Sequence, residues 1–168
     1  MADTFEFHDV PLAYLITFRG RGTWLHGDKR GSVDRHHNRY GSPRLPPNEK
    51  RRNLNLIRLK GPSVRLTSDQ RAAVEAGIRE TCQIRNWELW AMNVRSNHVH
   101  TVVSGECKPE RILIAFKANA TRTMREAGCW SSSESPWAER GSKKRLWTEQ
   151  DVVDAVAYVE CDQGEPLP

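Results

Sequence analysis

A predicted β-hairpin constrains the fold more than any other feature of the chain. Residues 87–94 (WELWAMNV) and 98–103 (HVHTVV) are rich in apolar and β-branched side chains, and only three residues separate them. Two strands joined so closely pair as an antiparallel hairpin. Because side chains alternate between the two faces of a strand, His98 and His100 project together from one face, while Val99 points into the core.

The histidine pair admits two interpretations. Two neighbouring imidazoles are well placed to bind one divalent ion, with positions left for an acidic or amide ligand and for a substrate oxygen. The same histidines are also compatible with partly exposed polar residues on the wet face of an ordinary strand, since the His-x-His pattern is short. The residues of the hairpin leave both interpretations open.

Three capped helices accompany the hairpin. Thr67 and Gln70 form a capping box at the start of the first helix. Pro109 lies in the first turn of the second helix, and Gly128 lies just past its end. Thr148 caps the third helix, which has acidic residues in its first turn. Each helix carries apolar residues at helical spacing, so each is expected to pack on the sheet.

The order of the elements predicts the fold class. Residues 13–20 are expected to form an apolar strand ended by glycine, residues 129–144 a serine-rich loop, and residues 145–148 a short strand. This order is typical of an α+β ferredoxin-like sandwich. We expect an antiparallel sheet with His-Val-His on a central strand and with the helices on one face.

Length and cysteine spacing indicate the class of protein. A chain of 168 residues favours a single domain over residues 1–168. No apolar run approaches the ~20 residues that cross a bilayer, so no membrane partner is expected. The four cysteines lie at least 22 residues apart and form no Cys-x-x-Cys pair. Such spacing favours reduced thiols in a cytoplasmic protein.

Positive charge is concentrated in one segment. Residues 19–65 carry 13 lysines and arginines against three acids, a net charge of +10 in a chain of +5. We expect a long basic loop here, with residues 54–62 as a short strand or an irregular apolar piece. Arginine suits phosphate contact, whereas a solvated basic loop is the alternative. The candidate nucleic acid contacts are Arg19, Arg21, Lys29, Arg30, Arg35 and Arg39, and, on the second helix, Lys117 and Arg122, for which a solvated helix face is the simpler interpretation.

The third helix carries a tyrosine off its apolar stripe. At about 100° per residue, Tyr158 lies well round the helix from Val156 and shares a face with Asp162. A tyrosine on the less apolar side of a helix can reach a cleft, although a half-buried tyrosine without chemistry is the usual outcome.

Three stretches taken together resemble a known family. They are the strand "NHVHTVV", the basic helix about ten residues later, and "AYVECDQGE" near the end of the chain. They resemble the HUH-type single-tyrosine transposases, and within these the REP-associated and related insertion-sequence tyrosine transposases. The resemblance covers about residues 11–165. Its most specific part is the His-Val-His motif with a helix tyrosine 58 residues after His100.

The resemblance implies a metal-dependent DNA transposase that nicks and rejoins single-stranded DNA at hairpin-bearing ends. Tyr158 would attack the phosphorus, forming a 5′-phosphotyrosine and releasing a 3′-hydroxyl. His98 and His100 would hold one Mg²⁺ or Mn²⁺ together with a third ligand. The family usually has an asparagine or glutamine four residues after the tyrosine. Here that position is Asp162, and Gln163 follows it, so Gln163 is preferred by residue type and Asp162 is the close alternative.

Several alternatives stay open on the sequence. Tyr14 and Tyr40 are rival nucleophiles, although Tyr14 lies in a core strand and Tyr40 in the loop. A replication-initiator or relaxase-like HUH nickase would use the same fold. A non-catalytic, domesticated nucleic-acid-binding protein is the alternative of another class. The sequence also leaves open whether Tyr158 acts in its own subunit or completes the site of a second copy in a homodimer.

Overall fold

The computed structural model describes residues 10–23, 43–59, 61–164 and 167. Its helices and strands, in chain order, are β1 Ala13–Gly20, α1 Glu49–Arg58, α2 Ser68–Arg85, β2 Glu88–Val94, β3 His98–Ser104, α3 Pro109–Glu126, β4 Trp137–Leu146 and α4 Glu149–Cys161. Five predicted residues lie outside the described part of the chain, namely Lys29, Arg30, Arg35, Arg39 and Tyr40.

The four strands form one antiparallel sheet in the order β2-β3-β1-β4. The predicted hairpin is β2 paired with β3, with Val94 opposite Val99 at its closed end. The strand β3 begins at His98 and has neighbours on both sides. The α+β fold class with an antiparallel sheet is therefore confirmed, and the His-Val-His segment lies on a central strand.

One face of the sheet carries the larger core. The side chains of Tyr14, Ile16 and Phe18 project from β1 onto this face and pack against α2 and α3. The capping box at Thr67 is present, since its hydroxyl accepts from the Gln70 amide and the Gln70 side chain accepts from the Thr67 amide. The apolar stripe of α3 is fully buried at Ile112, Phe116, Ala120 and Met124.

The expectation that the helices share one face is corrected for α4. Ala155 and Val159 of α4 pack on the opposite face of the sheet, against Ala13, Val102 and Leu146. The physical reason is that β1 and β3 carry apolar side chains at both parities, so both faces of these central strands need cover from water. Among the helices of the described chain, α4 is therefore the one that covers the histidine face of the sheet.

Two further elements differ from the sequence expectations. Residues 129–144, predicted as a loop, contain most of β4, an edge strand whose ends are buried at Trp137 and Leu146 and whose middle is largely exposed. The predicted basic loop contains the helix α1, which is capped by the Asn48 side chain and buries none of its residues. The exposed middle of β4 lacks the apolar periodicity from which a strand is predicted. The apolar residues of α1, which are Leu54, Leu56 and Ile57, are exposed.

Membrane and cysteine features complete the fold. In the described residues, none of the helices is both long enough and apolar enough to span a bilayer. All four cysteines are free thiols, with Cys82 buried and Cys161 exposed.

Candidate active site

A row of polar side chains crosses the sheet beneath α4. Thr17 on β1 and Asn93 on β2 lie directly opposite His100 on β3, one on each side. The Thr17 hydroxyl oxygen is 2.7 Å from Nδ1 of His100. The Asn93 side chain donates to the carbonyl of Val159, at 3.0 Å, and so ties α4 to the sheet at this row.

The two histidines lie side by side at this position. Their ring centroids are 4.6 Å apart, as expected for residues two apart on one face of a strand. His100 is 7% exposed. Burial, and secondarily the neighbouring His98, lowers the pKa of His100 to about 4. His100 is therefore a neutral imidazole at neutral pH, the form that offers a nitrogen lone pair to a metal.

Tyr158 reaches the same cluster from α4. Its ring centroid is 5.4 Å from that of His100, and its side chain is 41% exposed. The capping box between Thr148 and Asp151 fixes where α4 begins, and this in turn fixes which of its residues face the histidines. A tyrosine whose ring borders a buried histidine and which is still partly exposed to solvent is accessible to a substrate.

The rival nucleophile Tyr14 is a buried core residue. It is 1% exposed, and its hydroxyl donates to the carbonyl of Cys107 at 2.9 Å. Burial is the main cause that raises the pKa of Tyr14 above its usual value. Its side chain also belongs to the core on the opposite face of the sheet from His100. These contacts favour Tyr158 over Tyr14 as the reactive tyrosine.

Of the two candidate third ligands, Gln163 is the one that contacts the histidines. Asp162 caps the end of α4 and is exposed, whereas Gln163 is half-buried. The amide oxygen of Gln163 is 3.3 Å from Nε2 of His98. Helix α4 ends at Cys161, one residue before the position four residues after Tyr158. The chain then turns, so that the Gln163 side chain hydrogen-bonds to the Tyr158 carbonyl and lies near the histidines.

The surroundings of His98 suit a cation. The Gln163 amide nitrogen donates to the Tyr158 carbonyl at 2.9 Å, so its oxygen must face Nε2 of His98. The other ring nitrogen, Nδ1, lies 2.7 Å from the side-chain oxygen of Asn97. A neutral imidazole has a single N–H, so where both ring nitrogens face oxygens, one nitrogen keeps a lone pair that a metal ion can occupy. Two imidazoles and an amide oxygen therefore form a donor set that fits a divalent ion.

The proposed donor set differs from the common metal sites built from three His, Cys, Asp or Glu side chains. The described residues contain no group of three His, Cys, Asp or Glu side chains able to hold a metal. The third donor here is an amide, which is none of these. Its position after the tyrosine is the signal that points to it in the sequence.

The predicted DNA contacts divide between the two faces. Arg19 lies opposite His98 in the β1–β3 register, hence on the histidine face, and Arg21 follows in the turn after β1. Lys117 and Arg122 lie on α3, which packs on the other face. Lys117 donates to three backbone carbonyls of β4, at residues 138, 139 and 140, and burial is the main cause that lowers its pKa to about 8.

Arg122 is engaged in ion pairs with Glu80 and Glu126. The contacts of Lys117 and Arg122 therefore favour structural roles for both side chains. Sequence reasoning missed Thr17 and Asn93, although each is a polar residue among mostly apolar neighbours in its strand and lies opposite His100. It also missed the exposed basic residues of β4, which are Arg140, Lys143, Lys144 and Arg145.

Comparison with known families assigns the chain. The IS200-like transposase model matches residues 58–160, more than half of the chain, including both histidines and Tyr158. The chain therefore belongs to the IS200-like transposase family, the HUH-type single-tyrosine transposases that the sequence motifs indicated. This membership assigns it to DNA transposition in general, and it favours a transposase over a replication initiator or a relaxase. Transposases of this kind generally depend on a metal ion.

A solved structure with a similar fold supports the architecture. It is a REP-associated tyrosine transposase bound to a REP hairpin, and the match covers 95% of this chain and 70% of that chain with a TM-score of 0.50. The sequences are 13% identical, so this likeness shows the fold alone. Comparison with curated proteins gives no match.

Proposed function

We propose that this transposase nicks and rejoins single-stranded DNA through a covalent bond to Tyr158. The observation that carries the proposal is the meeting of three groups on one face of the sheet. The ring of Tyr158 lies beside His100, and the oxygen of Gln163 lies beside His98. A nucleophile next to a ready-made set of metal donors is the arrangement that phosphoryl transfer needs.

His98, His100 and Gln163 are the residues that would hold Mg²⁺ or Mn²⁺. When bound, the ion would act as a Lewis acid on the scissile phosphate and as a template that orients it. Asp162 is the less favoured ligand, because it is exposed at the end of α4, whereas Gln163 already contacts His98.

The covalent step is carried by Tyr158. Its phenol loses a proton to solvent, and the oxygen attacks the phosphorus of the strand while the bond from phosphorus to the 3′-oxygen breaks. The leaving 3′-oxygen takes up a proton, and the 5′-phosphate stays on Tyr158. The 3′-hydroxyl of another strand end reverses the step and joins the strands. No external energy is consumed, because the phosphodiester energy is kept in the tyrosine ester.

Single-stranded DNA with hairpin ends is the proposed substrate. The structurally similar transposase is bound to a REP hairpin. Arg19 is well placed to contact a phosphate at the site, because it lies opposite His98. The basic residues 19–65 would extend this contact, as would Lys144 of β4, which lies opposite Leu15 on the histidine face. A cytoplasmic location and a homodimer stay predictions.

A covalent-capture assay tests the proposal. The protein is incubated with Mn²⁺ and a pool of 3′-labelled hairpin oligonucleotides with randomised flanks, and is then run on a denaturing gel. The label must lie 3′ of the nick, since the 5′-phosphate side stays on the enzyme. We expect a labelled protein band that chelator abolishes and that Tyr158→Phe lacks.

Tyr14→Phe is the matched control, because it removes one hydroxyl from a buried tyrosine on the other face of the sheet. It should keep the band. A band that survives Tyr158→Phe would move the nucleophile elsewhere. DNA binding without any band would favour the non-catalytic nucleic-acid-binding protein instead.

A further inference from the structure

We infer that Thr17 and Asn97 are positioning residues that keep a hydrogen on Nδ1 of His100 and of His98, so that both imidazoles present Nε2 to the metal. The inference rests on the proposed metal site and names the residues that prepare it. Neither Thr17 nor Asn97 touches the substrate or the ion in this scheme. Each acts through the histidine that it contacts.

Thr17 controls His100 through a short contact. The 2.7 Å distance between its hydroxyl oxygen and Nδ1 is that of a strong hydrogen bond. Pairing between β1 and β3 sets Thr17 directly opposite His100, so the contact depends on the sheet itself and not on a mobile loop. When the hydroxyl accepts from Nδ1–H, Nε2 of the neutral ring carries the lone pair.

Asn97 controls His98 in the same way from the preceding residue. Its side-chain oxygen lies 2.7 Å from Nδ1 of His98. Its backbone is anchored to the end of β1, since its carbonyl accepts from the Gly20 amide at 3.0 Å and from the Thr23 hydroxyl at 3.3 Å. Nε2 of His98 then faces the Gln163 oxygen with a lone pair, and both atoms would stabilise a bound cation.

A rival arrangement has the opposite polarity. In it the Thr17 hydroxyl donates to His100, and the Asn97 amide is turned so that its NH₂ donates to His98. Both imidazoles would then carry hydrogen on Nε2, and His98 would donate to Gln163 in a closed network with no lone pair for a metal. The two polarities differ in which substitutions they tolerate, because aspartate can only accept where asparagine can do either.

The test measures Mn²⁺ affinity of the full chain without DNA, by electron paramagnetic resonance of the free ion. Thr17→Val and Asn97→Leu should weaken binding about 10- to 100-fold, as loss of such hydrogen bonds to metal ligands does. Thr17→Ser and Asn97→Asp keep an acceptor and should bind close to wild type. Thermal unfolding of each variant separates this effect from a loss of folded protein.

Ring nitrogen spectra of the metal-free protein report the polarity directly. Long-range ¹H–¹⁵N spectra should show His98 and His100 with hydrogen on Nδ1. Hydrogen on Nε2 in both rings, wild-type affinity in Thr17→Val, or equal loss in Asn97→Asp and Asn97→Leu would each overturn the inference. These readouts need no DNA, so they stand apart from the covalent-capture assay. An adduct that depends on Tyr158 together with an unaffected Thr17→Val would refute the inference alone.

Discussion

The two faces of the sheet are built from the same strands, but one face carries the larger core and the other carries the candidate active site. On the α2–α3 face, Ile16 and Val99 are fully buried in the larger core. Their chain neighbours Thr17 and His100 point to the α4 face and meet each other at 2.7 Å. Because side chains alternate along a strand, a core residue and a residue of the candidate site are direct neighbours in the sequence. The comparison teaches that a substitution on one face should leave the function of the other largely intact.

The largest effect is expected from a change on the histidine face. His98→Ala should abolish metal-dependent adduct formation, because it removes one of three donors and leaves Gln163 without its partner. The fold should persist, since His98 is only half-buried and lies outside the core. The measurements are the covalent-capture assay and a circular dichroism melt. Undiminished nicking by this variant would remove the metal hypothesis.

The converse change lies in the core of the other face. Phe116 is fully buried on α3 and meets Trp87 edge to face with centroids 6.0 Å apart. Phe116→Ala should lower the free energy of unfolding by about 3–5 kcal/mol. The adduct yield per folded molecule should stay near wild type at low temperature. A yield that falls faster than the folded fraction would show that the two faces are coupled.

A smaller effect separates the structural role of Lys117 from the DNA contact proposed for Arg19. Lys117→Met should lower stability by about 1–3 kcal/mol, because three carbonyls of β4 lose their donor. Its DNA affinity should match wild type, as measured by fluorescence anisotropy of a labelled hairpin. Weaker DNA binding with unchanged stability would restore Lys117 to the DNA contacts that the sequence predicted.

Arg19 provides the counterpart on the histidine face. Arg19→Ala should weaken DNA binding and reduce the slope of log K against log salt by about 0.7, the value for one phosphate contact to a single strand. Arg79→Ala is the matched control, since it removes the same charge from an exposed position on α2. Equal slopes for the two variants would argue against a phosphate contact at Arg19.

The smallest effect concerns the attachment of α4. Asn93→Leu removes the side-chain donor to the Val159 carbonyl and should lower stability by about 0.5–1.5 kcal/mol. Because this bond lies next to Tyr158, adduct formation should fall more than it does for an equally destabilising change in α2. Hydrogen exchange of α4 amides, faster in the variant, would locate the loss.

The sequence predicted those parts of the molecule in which local and long-range signals agree. The capping box at Thr67, the cap at Thr148 and the hairpin around His98 are present as expected. The choice between Asp162 and Gln163 stayed open, because spacing alone does not determine where a helix ends. The structure ends α4 at Cys161, and this brings Gln163 to the histidines.

Three features of the fold could not be predicted from the sequence pattern, namely strand β4, helix α1 and the face on which α4 packs. The edge strand β4 has one strand neighbour and an exposed middle, so its residues do not alternate between apolar and polar. Helix α1 buries none of its residues, and its apolar side chains, Leu54, Leu56 and Ile57, are clustered within four residues, a pattern that a short strand or an irregular segment also shows. The placement of α4 on the opposite face was missed because valines on both parities of β3 look the same in a sequence, whichever helix covers them.

The basic edge strand also has a consequence for self-association. An unpaired strand edge ordinarily recruits another chain and leads to sheet extension or aggregation. Here Lys117 occupies the carbonyls at one end of β4, and exposed Arg140, Lys143, Lys144 and Arg145 follow along it. A second copy docking antiparallel at this edge would bring like charges together, roughly 5 Å apart. Charge repulsion thus disfavours pairing of β4 with a second copy of itself, while the same charges attract a polyanion.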